Sequence, residues 1–232
     1  MRVDKLAASG DPPDMIEREA RIAIIGLGAM GEALARGAQA AGRSVVALSS
    51  RHPDKTQAIA QELGATLTQS PAEAAAMADV VMVCVPDDAI AEVAQSLGPT
   101  NGRLIVHTAG ARGLSVLDVA AGRGAHTGSL HPVMVIAQGG RGHEALRGAT
   151  AAIDGCEIAR TWLTEFAQDL GLNPIRIPAE HRALYHLSAS LVGGVMTGLL
   201  AASADLWGQL GVDRSEAARA LGRMVQEAGR NL

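Results

Sequence analysis

Three glycines carry the first chemistry legible in this chain. In Gly26-Leu27-Gly28-Ala29-Met30-Gly31 they are spaced for a tight turn, a close approach of backbone to ligand, and close packing of a helix on a strand. Glycine is common here, 27 residues in all, so the spacing alone is weak evidence. Its setting adds weight. The apolar run Arg21 to Ile25 precedes the turn, and a helical pattern from Met30 to Ala41 follows and stops at Gly42. Strand, glycine turn and helix in that order leave amide groups free at a helix start, where a pyrophosphate binds. A turn that merely links strand to helix is the plainer alternative.

If the ligand is a dinucleotide, its ribose is read at the end of the second strand, where an Asp or Glu about 20 residues on selects NAD. This chain has Ser49-Ser50-Arg51-His52 there. Two hydroxyls and a guanidinium suit a 2'-phosphate, and no carboxylate repels it, so NADP is favoured over NAD. A solvated surface role for Arg51 is the other reading. A fourth strand leaves through Val85-Pro86-Asp87, and a fifth through His107-Thr108-Ala109-Gly110-Ala111. Both exits fall at the carboxyl edge of the sheet, and the small residues around Thr108 and Gly110 leave room for a flat ring against the backbone. His107 reads equally well as a core histidine.

Hydride chemistry also needs a group that gives or takes a proton. His131, in Ser129-Leu130-His131-Pro132, follows a predicted strand and is one candidate; a turn cap before Pro132 is the alternative. Tyr185 and His186 stand at the start of a long apolar helix, with Ser190 on a neighbouring turn. A buried histidine bonded to backbone is the bland reading of His186. The seven histidines are spread out and form no metal-binding pattern. No nucleophile stands with a partnering base. Cys84 and Cys156 read as small core residues in a reducing compartment.

The elements that must position these groups alternate. Short apolar runs at Ile22 to Ile25, Val45 to Leu48, Val80 to Val85 and Leu104 to Val106 are separated by helical segments that begin at Pro53, Ser70-Pro71 and Asp87-Asp88. That is the pattern of β-α-β units in a parallel sheet. Further strands are predicted at Thr127 to Leu130, Thr150 to Ile153 and Pro174 to Ile177, with Gly139-Gly140-Arg141-Gly142 and a helix from Ile158 to Leu170 between them. After Pro178 the alternation ends in two helices, Glu180 to Gln209 and Asp213 to Ala228.

The fold class is therefore α/β, a Rossmann-type doubly wound, mainly parallel sheet followed by a smaller all-α domain. Residues 1–20 read as a flexible tail, 21–177 as the dinucleotide-binding domain and 178–232 as the helical domain. Hydrophobic residues make up 48% of the chain and aromatics 2%, so the core must be aliphatic. A net charge of -4 without basic clusters, together with so few rings, argues against a nucleic-acid partner. The first twenty residues contain no apolar run and are expected to be neither a signal peptide nor an anchor. The apolar stretch Ala183 to Trp207 carries His186, Ser188, Ser190, Ser203 and Asp205, which favours a buried helix over a membrane span. A cytoplasmic protein is expected.

The run RIAIIGLGAMGEALA, the Val85-Pro86-Asp87 exit, the HTAGA run from His107 and the GSLHP run from Gly128 resemble the pyrroline-5-carboxylate reductase and 6-phosphogluconate dehydrogenase-like superfamily. Within it the chain is most similar to an uncharacterised group that joins a Rossmann-like domain to a helical domain of unknown function. That group carries a Tyr-His pair, matched by Leu184-Tyr185-His186. The resemblance implies an NADP-dependent oxidoreductase acting on a small molecule, and a homodimer formed through the C-terminal helices. Gly194 and Gly198 suit close helix packing of that kind, between chains or within one. Members of the group continue well beyond Leu232, so the resemblance implies an incomplete helical domain. Prephenate dehydrogenases offer an analogy for the His131-Pro132 step. The Lys-x-x-x-Asn pattern of hydroxy-acid dehydrogenases is missing, since no lysine follows Lys55. Two functions thus remain open: hydride transfer at a C=O or C=N bond, or dinucleotide binding without turnover by a sensor or scaffold. A reduced deazaflavin as hydride donor is a third possibility.

Overall fold

The computed structural model describes residues 15–136 and 142–231. Of the expected tail, residues 1–14 lie outside the described residues, as do 139–141 of the glycine-rich segment. The described part of the tail departs from expectation. Ile16 packs against the core, Ala20 is buried, and Trp162 donates its indole N–H to the Glu17 carbonyl at 3.1 Å.

Eight strands form one sheet: β1 (Ile22–Ile25), β2 (Val45–Ser49), β3 (Thr66–Thr68), β4 (Val80–Val83), β5 (Leu104–His107), β6 (His126–Pro132), β7 (Thr150–Gly155) and β8 (Asn173–Arg176). Their order is β3-β2-β1-β4-β5-β6-β7-β8. The chain winds outward from β1 in one direction to β3 and returns across to β4, which leaves a topological switch point at the carboxyl edge between β1 and β4. All neighbours are parallel except β6 and β7. Strand β3 is implied by counting the strand that ends at Val85 as the fourth, but the sequence does not locate it. Its three residues, Thr66-Leu67-Thr68, are too short and too polar to stand out from a loop, and only pairing with β2 defines them.

The helices are α1 (Ala29–Ala40), α2 (Pro53–Leu63), α3 (Pro71–Ala76), α4 (Ile90–Ser96), α5 (Asp118–Gly122), α6 (Gly142–Leu146) and α7 (Glu157–Asp169), then α8 (Arg182–Ser190), α9 (Met196–Gly208) and α10 (Arg214–Arg230). Strand alternation sends Ile22 and Ile24 to a layer filled by α1, α2 and α7, and sends Ala23 and Ile25 to a layer filled by α3, α4 and α5. With so few aromatics, most of both layers is aliphatic. The exception is a stack of Trp162 on Phe166, with ring centroids 4.8 Å apart and the Arg43 guanidinium 5.5 Å from the Trp162 ring. Arg43 is buried and donates from Nε to Asp169 at 2.8 Å. This cluster ties the turn after α1 to α7.

Two compact units divide after Arg182, a few residues beyond the expected boundary at Ile177. In the second unit, 183–232, a π-helical stretch Leu191–Val195 separates α8 from α9, and α10 packs along α9. The expected buried helix at Ala183 to Trp207 is instead largely exposed: Leu184, Leu187, Val192, Leu199 and Leu206 all face outward. Hydropathy records composition, and within the second unit the described residues leave these side chains exposed. By length and composition alone, Ala179–Gly208 is apolar enough to cross a membrane. Cys156 also departs from expectation, being exposed, whereas Cys84 is buried.

Candidate functional site

The residues singled out from sequence in the first unit lie along the carboxyl edge of the sheet; Tyr185 and His186 belong to the second unit. The Gly26 N–H donates to the Ser49 carbonyl at 2.8 Å, the Cys84 N–H to Ile25 at 2.7 Å, and the Thr108 N–H to Val83 at 3.3 Å. One main-chain ladder thus aligns the exits of β2, β1, β4 and β5. The register carries the row onward, since His107 pairs with Ser129 on β6. His131, two residues further on, pairs with Ala152 inside β6 and does not cap a turn.

Each glycine of the first turn meets a different constraint. Gly26 has φ +93, and a Cβ there would lie 2.6 Å from the Cys84 carbonyl oxygen. At Gly31 a Cβ would lie 1.9 Å from the Gly26 carbonyl oxygen, so α1 can approach β1 this closely only without one. Gly28 differs. Its φ of -75 suits any residue, and a Cβ there would meet nothing within 4 Å. Among the described residues nothing requires glycine at 28, and Gly28 is itself exposed. Gly28 is also the N-cap of α1 and supplies no side-chain cap, which leaves the amides of Ala29, Met30 and Gly31 directed at the same open space. Leu27 and Met30 pack partly against the core and fix the turn from below. A diphosphate fits this cradle by charge and by donor geometry.

Beside it, Ser49 is buried, Ser50 accepts the His52 N–H at 3.1 Å, and Arg51 is exposed and forms no ion pair among the described residues. On the other side, Val85 is half-buried against the second core layer, and Pro86 begins a turn closed by the Ala89 N–H. Asp87 lies 4.0 Å from Arg112, an exposed pair of little energetic weight. The Cys84 thiol is pushed up to about 12 by burial, against a hydrogen bond with Thr108 that lowers it, which favours the protonated thiol. Among the described residues no three candidate ligands gather for a metal ion.

Beyond Thr108 lies a polar cluster that sequence reasoning did not assemble. His107 is fully buried; its Nδ1 accepts the Ala109 N–H at 3.2 Å, which leaves the ring proton on Nε2. Nε2 lies toward the Gly113 carbonyl without a well-formed hydrogen bond. Arg182, only 2% exposed, donates from Nη1 to the Ala109 carbonyl at 3.2 Å and from Nη2 to the Ser129 hydroxyl. Burial first, then the Arg182 charge, hold the His107 imidazole down to about 4; His131 adds to this, and the Gly113 carbonyl opposes it. Arg182 left one trace in the sequence: a cation at the head of an apolar helix. His131 is half-buried at the edge of this cluster. Tyr185 and His186, both half-buried, stand on α8 in the second unit.

This geometry defines a dinucleotide-binding fold with an open anion cradle at its switch point. Residues 21–110 match the family described as NADP oxidoreductase, coenzyme F420-dependent, and residues 149–232 match a domain of unknown function, DUF2520. The chain joins these two domains, the combination that the resemblance implied. Among functionally curated proteins none matches it. Of solved structures, a 1-pyrroline-5-carboxylate reductase from Streptococcus pyogenes is 17% identical with a TM-score of 0.70, over 93% of this chain and 80% of that one. The Plasmodium falciparum pyrroline carboxylate reductase with NADP bound is 13% identical with a TM-score of 0.70, over 92% and 78%. A reductive aminase from Aspergillus terreus, in complex with NADPH and ethyl levulinate, is 24% identical with a TM-score of 0.69, over 91% and 74%. These likenesses establish a shared fold.

Two outcomes follow from the site. Gly28→Ala is expected to cost the free protein no more than about 1 kcal/mol in urea denaturation, while weakening a bound nicotinamide dinucleotide about tenfold or more. Gly31→Ala, which must displace the Gly26 carbonyl, is expected to lower stability outright. His107 concerns pH. Its folded value is depressed below the ordinary 6.5, so as pH falls the unfolded chain takes up the proton first. Its contribution, roughly 3 kcal/mol, is complete above pH 6.5 and lost as pH falls toward about 4. Urea midpoints across that window are expected to drop more steeply in the wild type than in His107→Asn, which keeps an acceptor but does not titrate.

Proposed function

We propose that this chain is an NADP-preferring oxidoreductase that moves a hydride to or from a C=O or C=N bond of a small polar substrate. The observation that carries this reading is Gly28, a glycine whose added Cβ would meet no described neighbour, at the uncapped start of α1. The family description, and the NADP and NADPH held by two proteins of the same fold, support the choice of cofactor.

Gly26, Leu27, Gly28, Ala29, Met30 and Gly31 hold the pyrophosphate through backbone amides. Ser49, Ser50 and Arg51 receive the 2'-phosphate, the guanidinium being suited to it and in no ion pair among the described residues. Val85, Pro86, Asp87, Thr108 and Gly110 border the space for the nicotinamide end. When bound, NADP supplies or accepts the hydride. His131, at the edge of the sheet and half-exposed, gives or takes the proton that balances it. Tyr185 and His186 are further candidates for that role.

The protein works in the cytoplasm as a homodimer through its C-terminal helices. Large apolar side chains exposed along α8 and α9 support this, since a stripe of that size calls for a partner. Light scattering is expected to return twice the chain mass, and Leu199→Glu to return one.

For the catalytic reading, NADPH is expected to raise the melting temperature more than NADH, and Arg51→Asp to reverse that order. Loss of reduced-nicotinamide absorbance with a panel of keto acids and cyclic imines then reads turnover. Tight NADPH binding without oxidation of any member identifies a binding protein, a sensor or scaffold, in place of an enzyme. Absence of binding overturns both.

A further inference from the structure

The peptide at Ala109 is gripped at both of its polar groups. Its N–H is bonded to His107 Nδ1 and its carbonyl to Arg182 Nη1, each at 3.2 Å. The same guanidinium reaches Ser129 on β6 through its other nitrogen. All of these groups lie within the first unit, of which Arg182 is the last residue. They are also nearly sealed: His107 and Ser129 are fully buried, Ala109 is 6% exposed, and Arg182 is 2% exposed. The β5 and β6 register puts His107 and Ser129 side by side on one sheet face, and the β6 and β7 register puts buried Asp154 directly across from Ser129.

A buried guanidinium is costly to desolvate, and hydrophobic residues would have stabilised this junction as well or better. What an arginine adds is a rigid planar fork that holds two oxygens at a fixed separation. Here the two oxygens belong to the exits of β5 and β6.

We propose that Arg182 is a positioning residue for the nicotinamide end of the site: it clasps the Thr108-Ala109-Gly110 backbone to β6 and sets the surface against which the ring lies. This rests on the NADP assignment above. The clasp acts through Ala109 and Ser129 and touches neither cofactor nor substrate. It works on one half of the cofactor only. The Gly26 turn and Arg51 lie along β1 and β2, on the far side of β4 from the clasp, and do not depend on it.

Two probes of different reach test this: NADPH, which extends to the β5 exit, and adenosine 2',5'-bisphosphate, the half of NADP that carries the 2'-phosphate. Arg182→Met in the full chain is expected to weaken NADPH about tenfold, the size of one lost charge-assisted hydrogen bond, and to leave the bisphosphate unchanged. Arg182→Lys, which keeps the charge but not the fork, is expected to recover only part of the loss. Ser129→Ala, a small change that frees a single anchor, is expected to show the same selective loss at smaller size and serves if Arg182→Met does not fold. In the free protein, the NMR titration of the His107 imidazole is expected to move upward toward 6.5 in Arg182→Met, a change that a loss of general stability does not produce.

Equal weakening of both probes, or of neither, in a wild-type protein that binds both overturns the positioning role and leaves the NADP assignment standing. A wild-type protein that binds neither probe overturns that assignment, and the positioning role with it. An unmoved His107 titration in Arg182→Met shows that the guanidinium does not act on this cluster as described.

Discussion

The approach of α1 to β1 at the Gly31 and Gly26 contact is the constraint on which the rest of this protein depends. With hydrogen in place of a side chain at Gly31, the helix start comes within reach of the carbonyl that ends the first strand. Everything at the switch point inherits its position from that contact. The uncapped amides of α1 are held over the carboxyl edge, the β2 exit is bonded to Gly26, and the β4 exit is bonded to Ile25. A bulkier contact would lift the helix and carry the amides away from the edge, because no flexible side chain intervenes to absorb the displacement.

The second half of the site is organised by a different kind of force. Around His107 the interior is polar, buried and positively biased, which favours the neutral imidazole. Neutrality is what lets Nδ1 serve as a hydrogen-bond acceptor, so the tautomer, the burial and the Ala109 contact are one arrangement. His131, two residues beyond Ser129 on the same sheet face, is only half-buried.

Much of the first unit was legible in the residues. Strands such as Ile22–Ile25 and Val80–Val83 are covered on both faces, so they read as unbroken apolar runs, and the glycine turn lies between elements of unmistakable period. What escaped notice was set by long-range pairing. Strand β3 exists because β2 offers it an edge. Arg182 matters because the loop after β5 and strand β6, each more than fifty positions away, present it with oxygens. The expected burial of the helix after Arg182 was wrong for a related reason: an apolar sequence states a need for cover but not where the cover comes from. Cys156 failed likewise, being the N-cap position of α7 and open to solvent despite its apolar character. The roles of Tyr185 and His186 stay at the level of resemblance, since α8 positions them within its own unit only.

The π-helical stretch Leu191–Val195 has a geometric consequence for that exposed helix. Side chains spaced by four, as in Leu191, Val195 and Leu199, run ahead of a regular helix by about 40° at each step, and a long stripe built on that spacing winds around its axis. One wider turn, accommodated by Gly193-Gly194, holds back the rotation. The side chains from Leu199 onward are thereby turned about the helix axis relative to Leu184 and Leu187, so the face they present is set by that one turn as well as by their spacing.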